Sequence, residues 1–344
     1  MKQSMRMNRS LQASLLQALL LNVLLLPVLA VAGMLVVATV CHAQSAGKTF
    51  RIGFVALVSA STTEQWTKAF REELRKFGYE EGRNLTIESR FANGNRDQLN
   101  DLVAELARLQ VDVFLTAGEP ALLAAKAHGG NIPIITVTCD PLQRLVTSLA
   151  RPGGNATGFT CISSDLGSKR LGLLKSLLPT AERIAVLYSE PDNLAPELQE
   201  VAAQSRQAGM EAARYPVHAP QDFDPAFKQM ADQKSEALYI LSSSFANLHR
   251  GKLAELALTH RLPAMYGFRE FAQAGGLMAY GASLADGFRR AAYQINKILK
   301  GAAPAEVPVE QPTRFELVLN MKTAKAPNLE IPTSVLVQAD EVID

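Results

Sequence analysis

A repeating alternation of short apolar runs and amphipathic helices constrains this chain more than any other feature. "FRIGFVALVS" (50–59), "LTIESRFA" (85–92), "VDVFLTAG" (111–118) and "IPIITVT" (132–138) are apolar runs bounded by polar sequence. Between them lie segments with helical spacing. "TTEQWTKAFREELRKF" (62–77) sets Trp66, Phe70, Leu74 and Phe77 on one stripe of a charged helix. "DQLNDLVAELARL" (97–109), "EPALLAAKAHG" (119–129) and "LQRLVTSLA" (142–150) read as further helices. The apolar runs do not alternate with polar residues. Such strands are covered on both faces, as in a parallel sheet with helices on each side.

The stretch "RPGGNATGF" (151–159) closes this first series. Its glycines leave a helix and enter a fifth short strand, "ATGFTC". A phosphate-binding loop needs the opposite polarity, with glycines opening a helix. No glycine follows directly after the first strand, and no GxxxxGK[ST] occurs. "RPGG" therefore reads as a helix stop and a turn.

A second series restarts near Arg183. "RIAVLYS", "EAARYPV", "ALYILSS" and "LPAMYG" are its strands. "LGSKRLGLLKSLLP", "PELQEVAAQSRQAG", "FDPAFKQMADQ" and "HRGKLAELALTH" are its helices. The tail then offers a strand, "GGLMAYG", and a strong amphipathic helix, "ADGFRRAAYQINKILKG". The extended stretch "VPVEQPTRFELVLNMKTA" follows, and its prolines point to a connection and an edge strand. The expected class is α/β, with two doubly wound parallel-sheet lobes. The tail is too short for a third domain, so it returns to complete the first two. That leaves a cleft between them.

Residues 1–43 read as an export signal. Lys2, Arg6 and Arg9 precede the apolar run 15–40, and Cys41 and Ala43 suit a cleavage site after Ala43. The run is also long enough to serve as an uncleaved anchor. Val40 makes a poor lipidation box before Cys41. Each case places the rest of the chain in the periplasm or outside the cytoplasm. Without the three N-terminal basic residues, 35 basic residues become 32 against 33 acidic ones, a net of −1. The basic residues are scattered among acids, which excludes a nucleic-acid footprint. Cys139 and Cys161 both follow strand-like runs. A disulfide joins them if those strands are neighbours; otherwise they are two separately buried thiols. Neither metal nor redox chemistry is indicated, and no cofactor is expected. GxSxG and HExxH are absent, and no nucleophile–base pair is visible. His128, His218, His249 and His260 suit helix ends, turns or packing.

Together these stretches resemble the ABC-transporter substrate-binding proteins, in the broad family that includes tryptophan- and tyrosine-binding members. "RIGFVALVS", "CDPLQRLVTSLARPGGNATGFT", "GGLMAYGASLADGFRRAAYQINKILKGAAPAEVPVEQPTRFELVLNMKTAKA" and "ADEVID" carry the resemblance, which covers nearly all of 50–344. It implies a type I periplasmic binding protein whose two lobes are joined by three crossings. Lobe one would be 50–160 with 282–308, and lobe two 161–281 with 309–344. Such a protein is not an enzyme. It is a monomer that closes around a small polar solute, for example an amino acid, and delivers it to a membrane permease. A ligand-sensing receptor and an exported hydrolase-like enzyme are the alternatives.

In doubly wound sheets ligands bind beyond the carboxyl ends of the strands. That rule nominates Ser59, Ser61, Thr62, Gly118, Glu119, Asp140, Ser242 and Phe268, with Tyr280 at the return crossing. Ser59 and Ser61 could hold a carboxylate, or cap the helix together with Thr62. Asp140 could pair with an ammonium group or cap a helix, and Phe268 or Tyr280 could stack on an apolar side chain. Relatives often show "GTPA" after the third strand. Here the chain reads "AGEP", and Glu119 adds a carboxylate.

Overall fold

The computed structural model describes residues 48–139, 146–161, 166–189, 195–325 and 329–344. The first sheet holds five parallel strands in the order β2-β1-β3-β4-β5. They are β1 (Phe50–Ala56), β2 (Leu85–Phe91), β3 (Val113–Ala117), β4 (Ile134–Thr138) and β5 (Ala156–Thr160). Three helices connect them: α1 (Ala60–Lys76), α2 (Gln98–Arg108) and α3 (Glu119–His128). β3, β4 and β5 are buried along their whole length. That is what unbroken apolar runs require of a sheet covered on both faces.

The second sheet has seven strands in the order β12-β11-β10-β9-β8-β6-β7. β6 (Arg183–Ser189), β7 (Glu211–Val217), β8 (Ala237–Ile240), β9 (Ala264–Tyr266) and β10 (Met278–Gly281) run parallel. Its order β7-β6-β8-β9-β10 repeats the winding of the first sheet. α4 (Gly167–Leu177) and α5 (Ala195–Gln207) belong to this half. So do α6 (Phe223–Asp232), α7 (Ser244–Leu248), α8 (Arg250–Thr259) and α9 (Arg269–Gln273). After β10 the chain returns to the first sheet. There α10 (Leu284–Leu299) packs on α1 and on β3, β4 and β5. Beyond α10, Thr160 N donates to Glu310 O at 3.0 Å. The chain then rejoins the second sheet as β11 (Glu316–Asn320). Two short helices, α11 (Met321–Lys325) and α12 (Thr333–Leu336), lead to β12 (Glu341–Ile343).

Three expectations change. β11 is not an edge strand. It runs antiparallel to β10 and lies inside β12, because Pro308 and Pro312 precede it and leave its ladder intact. The helix expected over 142–150 is not found in its described part, 146–150, and 141–145 lie outside the described residues. There Thr147 N donates to Pro152 O and Ser148 N to Arg151 O, so "RPGG" closes a turn rather than ending a helix. α7 and α9, five residues each, were not anticipated.

Two carboxylates accept pairs of backbone N–H groups in the second half, Glu236 beside β6 and Asp222 within the loop after β7. Glu236 accepts from the backbone N–H groups of Glu182 (2.7 Å) and Arg183 (2.9 Å). Asp222 accepts from those of His218 (2.8 Å) and Ala219 (2.9 Å). These bonds to the charged form hold both carboxyls below the usual carboxylate range. A depressed folded pKa contributes stability above the unfolded value, lost as pH falls through the folded value. The melting temperature should therefore hold between pH 7 and 5 and drop below about pH 4. Scanning calorimetry of the double variant Glu236→Gln, Asp222→Asn should give a shallower acid drop than the parent. An equally steep drop would refute the assignment.

Candidate functional site

The carboxyl ends of strands from both sheets meet at one cavity. From the first half come Val58 after β1, Ala117 and Gly118 at β3, and Val137, Thr138 and Cys139 at β4. From the second come Ser242, Ser243 and Ser244 after β8, Asn247 on α7 and Phe268 after β9. Trp66 on α1 and Leu284 and Phe288 on α10 complete the wall. The space opens to solvent and, counted together with its open mouth, measures about 470 Å³. β1 and β3 flank the point where the winding order of the first sheet reverses, the usual ligand position in such sheets.

The walls are largely apolar. The Trp66 indole stacks on the Phe288 ring, with centroids 5.6 Å apart and planes at 27°. Phe288 in turn meets Phe54 edge to face. The polar lining is neutral: among the described residues no charged side chain lines the cavity. Two of its polar atoms, Ser242 Oγ and Asn247 Oδ1, are buried without a hydrogen-bond partner in the structure. Buried polar groups normally have partners, so these two stand out in the wall. Ser243 is engaged otherwise, accepting from Ala246 N at 3.0 Å to cap α7. α3 begins at Gly118 with no side-chain cap. Its dipole therefore presents partial positive charge at the cavity.

A disulfide joins Cys139 and Cys161, with Cα atoms 4.3 Å apart. It ties the ends of the paired strands β4 and β5, and Cys139 forms part of the cavity wall.

The nominated residues separate into groups. Gly118, Ser242 and Phe268 line the cavity. Ser59, Ser61 and Thr62 do not. Ser59 caps α1, accepting from Thr62 N at 3.3 Å, and its hydroxyl lies 3.0 Å from those of Ser61 and Thr62. Ser61 and Thr62 line a separate groove together with Glu64, Gln65, Arg250, Glu270 and Gln273, and Trp66 borders it too. Glu119 opens α3, half-buried and outside the cavity lining. Tyr280 sits on β10. Its ring lies 6.2 Å from Phe315, and its carbonyl accepts from Arg170 Nε at 2.8 Å. Asp140 lies outside the described residues.

Trp66, Asn247, Leu284 and Phe288 were not nominated. Trp66 and Phe288 carry helical apolar spacing, which marks core residues. Only the uniqueness of the single tryptophan could have singled one of them out.

A family model described as "ABC transporter substrate binding protein" matches residues 51–343. The chain belongs to that family. A tyrosine-binding protein of Clostridioides difficile (strain R20291) is 24% identical over 283 residues, which is 81% of each chain. An ABC domain from Streptococcus pneumoniae, solved in complex with L-Trp, superposes with a TM-score of 0.80 at 24% identity. That match covers 86% of this substrate-binding protein and 100% of the solved chain. A ligand-free, open substrate-binding protein with adhesive properties from Clostridium difficile reaches 0.63 at 21% identity. It covers 86% of this chain and 99% of its own. The fold is thus that of the type I periplasmic binding proteins, and these relatives are binding proteins rather than enzymes.

Proposed function

We propose that this chain is the extracytoplasmic capture component of an ABC importer. It closes two lobes around one small solute and hands that solute to a membrane permease. The lobes are 50–160 with 282–308 and 161–281 with 309–344, and residues 1–43 serve export. The cavity carries this reading. It is walled by both halves, and its unsatisfied groups, Ser242 Oγ and Asn247 Oδ1, both come from the second half. Closure itself is supported by contacts across the cleft. Gly118 abuts Ser244, and Leu248 approaches Gly94 closely enough that a Cβ there would stand 2.9 Å from its Cδ2. The higher score against the L-Trp complex than against the open, ligand-free relative points the same way.

The solute should have an apolar or aromatic body lying against Trp66, Phe268 and Phe288, and a polar head directed at Ser242, Asn247 and the start of α3. Aromatic amino acids head the panel, since relatives are described as binding tyrosine and tryptophan.

The test is thermal unfolding of protein lacking residues 1–43, unfolded and refolded to strip bound solute. The panel contains amino acids, aromatic carboxylates, nucleobases and polyamines. Ligand at 100 times Kd adds about 2.7 kcal/mol. At roughly 2–4 °C per kcal/mol, that is a rise of several degrees. A rise confined to aromatic amino acids or aromatic carboxylates is expected. A rise given only by polyamines would refute the proposed solute class.

A further inference from the structure

One buried hydrogen bond spans the cleft. Trp66 Nε1 donates to Glu270 Oε1 at 2.8 Å, across 204 residues of sequence. Trp66 stands on α1, which packs on α10 beside the first sheet. Glu270 stands on α9, which packs against β9, β10 and β11 of the second. Both residues are buried, at 4% and 6% exposure. The same indole is also cavity wall, stacked on Phe288. One ring therefore meets the ligand space and the opposite half at once.

The acceptor is unusual. Glu270 Oε2 is buried with no hydrogen-bond partner in the structure. Arg269 beside it pairs with Glu316 and Glu341, and Arg250, which lines the same groove, donates to the Asn247 carbonyl. A buried carboxylate with one hydrogen bond is poorly compensated, and stability alone is a weak reason to keep it. An open cleft would return both oxygens and the indole N–H to water. Closure then exchanges hydrogen bonds with water for one across the cleft, a near-balanced and reversible trade.

We infer that Glu270 is a positioning residue for ligand capture, holding the Trp66 indole in place as cavity wall only when the halves are together. Closing the cleft and completing the cavity become a single event. Apparent affinity scales with the fraction of molecules already competent, so removing this bond weakens capture without touching the ligand. The inference rests on the closure reading above.

Trp66 is the only tryptophan in the chain and reports on its own surroundings. The experiment uses ligand-free protein without residues 1–43. It measures emission maximum, acrylamide quenching and the radius of gyration from X-ray scattering. The parent should emit in the blue, quench weakly and scatter as a compact particle. Glu270→Ala should shift emission to the red, raise the quenching constant about threefold and increase the radius, with far-UV dichroism unchanged. Glu270→Gln keeps a carbonyl acceptor and should stay near the parent. Trp66→Phe keeps a stacked ring without the N–H and should expand like Glu270→Ala, which covers the case where Glu270→Ala fails to fold. Three results would each overturn the inference: parent-like quenching and radius in Glu270→Ala, equal losses in Glu270→Gln and Glu270→Ala, or a parent already as open as Glu270→Ala. The closure reading fails separately, if a compound that raises the melting temperature leaves the radius of the open form unchanged.

Discussion

Replacing Arg170 with Ala should lower the melting temperature by about 10 °C. Arg170 is 2% exposed. Its Nε donates to Tyr280 O at 2.8 Å, and its Nη1 lies 3.4 Å from Glu197 Oε1 and 3.5 Å from the Tyr239 hydroxyl. Burial alone would lower the guanidinium pKa, but Tyr239 and Glu197 outweigh it and the group stays charged. Burial likewise pushes the Tyr239 hydroxyl up to about 12, so it remains protonated. Deleting the cation breaks a buried ion pair from one side, which costs about 3–5 kcal/mol. At roughly 2–4 °C per kcal/mol for a chain of this size, that is a shift of about 10 °C. Replacing both partners together, Arg170→Met with Glu197→Leu, should cost much less, because apolar side chains of similar volume take the place of the buried pair. Calorimetry of the two proteins checks both statements. A loss under 2 °C for Arg170→Ala would show that the network contributes little.

Gly118→Ala should weaken capture about a hundredfold or more while leaving the fold intact. Gly118 has φ +84°, a region that favours glycine, and a Cβ there would fall well inside van der Waals contact of Ser244 Oγ. The backbone strain costs about 1–3 kcal/mol, which a chain this large survives. On the proposed closure the clash is selective: Gly118 and Ser244 come from opposite halves, and opening would separate them. Affinity for any solute found by the thermal screen should fall about a hundredfold or more, as the competent fraction falls. The double variant Gly118→Ala, Ser244→Ala removes the obstructing hydroxyl and should recover much of the loss. Titration calorimetry of the three proteins decides it. Undiminished affinity in Gly118→Ala would mean the closed contact is not needed for binding.

Much of the fold is legible because its strands are buried on both faces and its long helices are amphipathic. "RIAVLYS" and "EAARYPV" match β6 and β7 residue for residue. α7 and α9 are too short for any periodic pattern to show. The helical spacing of 142–150 misleads over 146–150, where the bonds from Thr147 and Ser148 to Pro152 and Arg151 give the backbone a different partner. Site legibility divides the same way. The strand-end rule finds Gly118, Ser242 and Phe268, since topology alone brings them together. It places Ser61 and Thr62 only in the neighbouring groove, where their hydroxyls lie against that of the capping Ser59. Trp66 and Glu270 are invisible as a pair, since a hydrogen bond across 204 residues leaves no local trace.

The matched winding of the two sheets separates the molecule into a working end and an inert one. Chain leaving β1, β3, β4, β8 and β9 reaches the cavity, and the chain entering those strands lies at their opposite ends. The helix stops with left-handed backbone gather there: Gly78, Gln110, Gly130, Gly209, Lys234, Arg261 and Gly301. Those loops can be shortened, stiffened or made to carry a dye without reaching the solute. Evolution, or an engineer building a sensor, can adjust robustness at one pole and selectivity at the other.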